Sequence, residues 1–291
     1  MAYESPASLR AALEARLLRE SREKKLDLQR LRRGAVFERL LVRLVLMNPG
    51  VWIVKGGMAL EIRMQERARA TRDLDLGMHT DETDGDILRE GLIEALAGDP
   101  EGDGFTFAVG NPQAIGADMG GGPGWRFPVK CSLAGREFAN VRIDIVPRSG
   151  ETSRTDKVRL PGVLSFAGFP THEVEIVVRE RHFGEKLHAM TRIYGDRQSS
   201  RVRDLADLIL LIEEGFEDLL ELRTAVDTVF ESRATHAVPV EIPDPPESWR
   251  STFADIASHL EIQPRGLDEA MDVLRSFWRD VLDHSESAGQ H

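Results

Sequence analysis

The chain has 291 residues, 41% of them apolar and 30% charged, with a formal net charge of -11. That length suits one bilobed unit or two domains, and that composition supports a packed core and excludes wholesale disorder. No apolar run reaches the roughly 20 residues that a bilayer crossing needs, no secretory leader opens the sequence, and the single cysteine, Cys131, excludes an internal disulfide, so a cytoplasmic protein is expected.

Residues 9–47 read as helical, because Leu40, Leu41, Leu44 and Val45 recur at helical spacing with no proline between. Residues 51–178 carry strand signals and most of the glycine. Val51–Val54 is a short apolar strand closed by Gly56-Gly57, and a helix follows over Met58–Glu66. Asp73-Leu-Asp-Leu76 alternates with period two, as a strand does. Thr83–Leu96 reads as a helix, Gly116–Gly124 as a loop, and Trp125–Leu133 and Glu137–Val146 as paired strands about an Ala134-Gly135 turn. From Arg179 the pattern is helical again. Phe183, Leu187 and Met190 form one stripe, and Leu205, Leu208, Ile209 and Ile212 form a second. Two further helices, near Phe216–Arg233 and Gly266–His284, flank a proline-rich break at Pro239–Pro246. The expected fold is α+β: a mixed-sheet core with flanking helices over residues 1–178, and a C-terminal helical bundle over 179–291.

Charge is uneven along the chain. From Arg10 to Arg43 there are 11 basic and 5 acidic residues, from Arg179 to Arg203 there are 7 and 3, and from Asp204 onward 6 and 20. The two basic stretches are candidates for holding a phosphate backbone. The first suits the solvated face of a charged helix equally well.

The chemical signal lies in Val54-Lys-Gly-Gly57 and, sixteen residues on, Asp73-Leu-Asp75. A strand ending in two glycines and entering a helix exposes backbone N–H groups to a phosphate, with the helix dipole behind them. Residues i and i+2 of a strand share a face, so Asp73 and Asp75 present their carboxylates together while Leu74 and Leu76 face the core. Two carboxylates about 4 Å apart repel by roughly 4 kcal/mol at an effective dielectric near 20, so a cation is expected between them. Magnesium suits a few carboxylates, water and substrate phosphates. Asp144 lies opposite the apolar face formed by Val141, Ile143 and Ile145, and is the candidate third acid of a two-metal site. Lys55, Gly56 and Gly57 are the candidate phosphate contacts. Arg63, Arg69 and Arg72 join them by position alone, and a phosphate on Thr71 would put negative charge beside Asp73. The eight histidines show no zinc spacing, and neither a nucleophile elbow nor a Walker loop is present.

Four segments, Lys55-Gly-Gly-Met-Ala-Leu60, Thr71-Arg-Asp-Leu-Asp-Leu76, Glu185-Lys-Leu-His-Ala189 and Arg203-Asp-Leu-Ala-Asp-Leu208, span about 150 residues. In that order they resemble the AbiEii/AbiGii-type toxins, a branch of the nucleotidyltransferase superfamily that includes the mycobacterial MenT toxins. The resemblance implies a metal-dependent transferase that moves pyrimidine nucleotides from CTP or UTP onto the 3′ end of tRNA and so blocks aminoacylation and translation. It also implies an antitoxin encoded nearby. Carried over residue by residue, it makes Asp73 and Asp75 the ligands of Mg2+, Gly56-Gly57 the phosphate turn, Lys186 a catalytic and triphosphate-binding lysine, and Asp204 a catalytic acid. One departure is the Gly-Gly turn, which lacks the hydroxyl of the commoner Gly-Ser. Three other readings stay open: transfer to a small molecule or protein, a non-catalytic toxin–antitoxin binding module with structural aspartates, and an Asp-x-Asp hydrolase that releases phosphate where a transferase releases pyrophosphate.

Overall fold

The computed structural model describes residues 3, 5–78, 82–115, 124–147, 154–192 and 201–288. Of the expected loop at Gly116–Gly124, residues 116–123 lie outside them and Gly124 opens a strand. The chain divides into an N-terminal unit, Met1–Arg63 with Ala70–Val177, and a C-terminal unit, Met64–Arg69 with Val178–His291. The short passage through 64–69 belongs with the second unit, which a linear reading of the chain does not anticipate.

In the N-terminal unit the helical span is two helices, α1 (Pro6–Lys24) and α2 (Leu28–Met47). Lys25 takes φ 55° and ends the first, and the Asp27 carboxylate caps the second by accepting from the Arg30 N–H at 2.7 Å. Then follow β1 (Trp52–Val54), α3 (Gly56–Met64), β2 (Asp73–Met78), α4 (Gly85–Ala97), β3 (Phe105–Val109), β4 (Gln113–Ile115), β5 (Gly124–Leu133), β6 (Arg136–Pro147), β7 (Thr155–Arg159) and β8 (Glu173–Val177). The strands form one mixed sheet in the order β3-β5-β6-β2-β1-β8-β7, with β4 paired to β5. The β2–β6 and β1–β8 pairs are parallel and the others antiparallel.

The sheet's core face is set by alternation. Leu74 and Leu76 of β2, Ile143 and Ile145 of β6, and Phe127 and Val129 of β5 are buried in one cluster with Phe37, Leu40, Leu41 and Leu44 of α2 and Leu88 and Leu92 of α4. Burying such a side chain contributes about 1.5–3 kcal/mol, so this face decides the register of the strands. The residues between, Asp73, Asp75, Arg142, Asp144 and Arg126, necessarily share the opposite face.

α2 also carries two fully buried arginines one turn apart. Arg39 donates to Asp103 at 2.6 Å and pairs with Glu101, and Arg43 donates to Asp103 at 2.8 Å and Asp99 at 3.1 Å. The acids of the turn before β3 therefore neutralise part of the first basic stretch internally. Arg10 is also taken up, by the Leu133, Arg136 and Glu137 carbonyls, and Arg32 by Glu14.

The C-terminal unit contains α5 (Arg179–Thr191), α6 (Val202–Glu214), α7 (Leu219–Arg233), α8 (Trp249–Leu260) and α9 (Leu267–Ala288). The α8 helix was not among the expected elements. Gly184 lets α5 and α7 approach closely, since a Cβ there would lie 3.2 Å from the Val226 Cα. Phe183, Phe216, Phe277 and Trp278 stack edge and face in the bundle, and the Trp278 indole donates to the Pro239 carbonyl at 2.8 Å, tying down the proline-rich segment. No helix among the described residues is long and apolar enough to cross a membrane.

Candidate active site: an acid row on the open sheet face

The row begins at the glycine turn. Gly56 has φ 58°, a left-handed conformation that glycine adopts without cost. A Cβ at that position would fall 1.9 Å from Asp75 Oδ2, so the carboxylate lies directly over the glycine. The turn is latched to β2 by the Lys55 N–H, which donates to the Asp75 carbonyl at 2.9 Å. The Ala59 N–H bonds the Lys55 carbonyl at 3.2 Å, which leaves the amides of Gly56, Gly57 and Met58 in the open first turn of α3, where anions bind.

Parallel pairing sets Asp75 beside Asp144 and Asp73 beside Arg142, and antiparallel pairing sets Arg126 beside Asp144. Paired residues share a face, so Asp75, Asp144 and Arg126 form one line across three strands, with Asp73 and Arg142 one step along. Asp144 is 3% exposed and both its oxygens are gripped by Arg126, Nε to Oδ1 at 2.8 Å and Nη2 to Oδ2 at 2.6 Å. The bond to Asp144 holds the Arg126 guanidinium still more firmly protonated than usual. Asp73 is only half-buried. It accepts from Arg142 Nε at 2.5 Å and lies 4.0 Å from Arg126 Nη2. The three predicted acids are therefore neighbours. Among the described residues, however, no three carboxylate, imidazole or thiol groups are arranged to hold one metal ion.

Two carboxylates on one strand face, one of them over the glycine turn, are a hard-oxygen donor set that fits a divalent cation completed by water and phosphate. Among the described residues, Asp144 offers its oxygens to Arg126 alone. Thr71 supports the strand from below: its hydroxyl donates to the Asp73 carbonyl and its N–H to Glu61 Oε2, both at 3.1 Å, and the residue is buried. Burial raises the Glu61 carboxyl, an effect that the Thr71 N–H and Arg30 only partly offset.

In the C-terminal unit Lys186 and Asp204, far apart in sequence, meet at 3.1 Å, and Lys186 also reaches Asp207 at 2.7 Å. Asp207 has no exposed surface and takes a two-pronged grip from Arg69, Nε and Nη2 each at 2.9 Å. Burial disfavours the Lys186 ammonium, yet Asp207 and Asp204 outweigh it and lift its pKa. Burial likewise opposes the Asp207 carboxylate, and Lys186 and Arg69 reverse the sign and lower it.

The sequence profile described as "Nucleotidyl transferase AbiEii toxin, Type IV TA system" matches residues 39–278, most of the chain. The chain belongs to the AbiEii nucleotidyltransferase toxins. Among solved structures, MenT4, a nucleotidyltransferase toxin from Mycobacterium tuberculosis H37Rv, superposes with a TM-score of 0.56 at 20% identity, over 90% of this chain and 99% of that one. A putative nucleotidyltransferase from H. pylori covers the same shares at 16% identity with a TM-score of 0.49. No curated protein matches significantly. The MenT4 likeness extends the family assignment to the fold, an α+β nucleotidyltransferase core with a helical C-terminal part.

Within this AbiEii chain other residues singled out in the sequence find their places as well. Arg63 donates to Asp156 and to the Val177 carbonyl, and Arg69 grips Asp207, so both are engaged in contacts within the protein. Burial pushes the Cys131 thiol up to about 12, which makes it an inert core residue. Reading the sequence missed Arg126, Arg142 and Asp207. Asp207 lies in the same Arg-Asp-Leu-Ala-Asp motif as Asp204, at i+3, and that spacing was the available signal.

Proposed function

We propose that the chain transfers pyrimidine nucleotides from CTP or UTP to the 3′ end of tRNA, with Asp73 and Asp75 holding Mg2+ and the α3 turn cradling the triphosphate. The observation that carries this is the seating of the Asp75 carboxylate over Gly56, which joins the paired acids to an anion-binding helix start in one place. A divalent ion bound there supplies charge neutralisation for the phosphates and lowers the pKa of an attacking ribose hydroxyl. The chain's own groups do the rest. The amides of Gly56, Gly57 and Met58 orient the phosphates, and Arg142, half-exposed beside Asp73, meets the charge that builds up as pyrophosphate leaves. The attacking 3′ hydroxyl gives up its proton to solvent and its oxygen bonds to the α-phosphorus, while the bond from that phosphorus to the bridging oxygen breaks and pyrophosphate leaves.

Support for tRNA as acceptor comes from the four motifs that resemble the toxin family's and from α1 and its C-terminal end, which expose Arg16, Arg19, Arg22, Lys24 and Lys25. In the cell the toxin would be held in check by an antitoxin. The test is nucleotide incorporation: labelled ATP, GTP, CTP and UTP are each offered with purified tRNA and with total cell extract. Label from CTP or UTP in the tRNA band, absent with Asp73→Ala, is expected. Label in protein or small molecules, or label independent of Asp73, would refute the assignment.

A further inference from the structure

The acids of the row differ in how they are neutralised. Asp73 meets Arg142 through a single bond at a half-exposed edge, an ion pair that water and incoming ligands can exchange. Asp144 meets Arg126 through two parallel bonds while almost wholly buried. The pair is also fixed by the backbone, since Arg126 and Asp144 are register partners on adjacent antiparallel strands. Arg126 is tethered beside its acid at a high effective concentration. A magnesium ion would have to shed tightly held water to take its place.

We propose that Arg126 is the resident counter-cation of this centre: it keeps Asp144 out of metal coordination, so the acid row has one divalent-cation seat, at Asp73 and Asp75, and not two. Its distance of 4.0 Å from Asp73 Oδ2 places its charge between the two acids, where a second ion would otherwise lie. Arg126 is thus a positioning residue. It holds Asp144 closed and sets the charge that the metal seat experiences. A bidentate guanidinium does this better than an ammonium, because the planar fork engages both carboxylate oxygens at once.

This inference rests on the metal seat proposed above, and the experiment separates the two. Mn2+ alone is titrated into the full chain without nucleotide, and free Mn2+ is counted by electron paramagnetic resonance. Thermal melting confirms that each variant is folded. Wild type should bind one ion, Asp73→Ala none, and Arg126→Gln two, because the vacated Asp144 becomes a ligand. Arg126→Lys preserves the charge with a single contact. It should show a second site about tenfold weaker than that of Arg126→Gln, the effect of roughly one charge-assisted bond, and it decides the matter should Arg126→Gln fail to fold. Two ions in wild type, or one ion in wild type and in both Arg126 variants, would overturn the role of Arg126 while leaving the seat intact. No binding by wild type, or one ion retained by Asp73→Ala, would remove the seat itself and the inference with it.

Discussion

The chain builds two ion networks from similar parts and buries them to different depths. In the N-terminal unit Asp73, Asp75 and Asp144 line an open sheet face with Arg126 and Arg142, and the charges grade from buried at Asp144 to half-exposed at Asp73. In the C-terminal unit Asp207 is sealed between Lys186 and Arg69, and Asp204 closes the cluster. The two networks differ in exposure more than in composition, and exposure decides how readily each can exchange partners. A half-exposed pair costs little to break and can exchange partners. A sealed cluster cannot lose a member without stranding a buried charge.

That contrast can be broken most sharply at Lys186. Lys186→Met removes one of the two cations on Asp207 and should cost about 3–5 kcal/mol of stability, read as a lowered midpoint in denaturant unfolding. Transfer activity per folded molecule should hold. If activity per folded molecule collapses at an unchanged midpoint, Lys186 serves the chemistry, as its motif implies, and the two networks are not so distinct.

Asp73→Asn should do the converse. Nucleotide transfer is expected to fall roughly 10²–10³-fold, while the unfolding midpoint shifts by no more than about 1 kcal/mol in equivalent stability. A large stability loss would show that the open row is structural as well.

Gly56→Ala probes the turn. It forces a Cβ into the space of the Asp75 carboxylate and imposes a left-handed backbone on an L-residue, at about 1–2 kcal/mol. Activity should drop further than that cost explains. Activity that tracks stability alone would argue that the contact between Gly56 and Asp75 is incidental.

The pH dependence sharpens the sealed side. Lys186 has its pKa raised above the ordinary 10.5, so its stabilisation is complete below 10.5 and is lost as pH rises through the folded value. Asp207 is lowered below 3.8, so its contribution is present above 3.8 and is lost as pH falls through the folded value. Melting temperature against pH should therefore show an alkaline decline in wild type that Lys186→Met lacks. The same decline in both proteins would count against the cluster as its origin.

The smallest effect is expected on α1. Arg22→Ala with Lys25→Ala should weaken tRNA binding evenly across sequences and reduce the salt slope by about 1 for each phosphate left without its cation. Filter binding at several salt concentrations reads it directly, and an unchanged slope removes α1 from the interface.

Much of the fold was legible because its signals are local. Period-two alternation marked β2, glycine and proline marked the ends of elements, and apolar stripes marked α5 and α6. The helix break at Lys25 and the helix α8 were not marked by any strong local pattern. The paired acids and the glycine turn could be read from spacing alone, because residues i and i+2 of a strand share a face wherever the strand lies.

What the sequence by itself determined was thus the class of the fold, the family, and the placing of two acids on one strand face beside a glycine turn within a short stretch of chain. What only the tertiary structure decided was who neutralises whom. A regular hairpin about Ala134-Gly135 would carry its register onward to set Arg126 against Ile143. The irregularity between Cys131 and Ser132 shifts the pairing by one residue and brings Arg126 opposite Asp144. A one-residue shift moves every side chain to the other face of the sheet. The partners of Asp144, and likewise the meeting of Arg69 with Asp207 across 138 positions, follow from packing between segments whose spacing in the chain encodes neither contact.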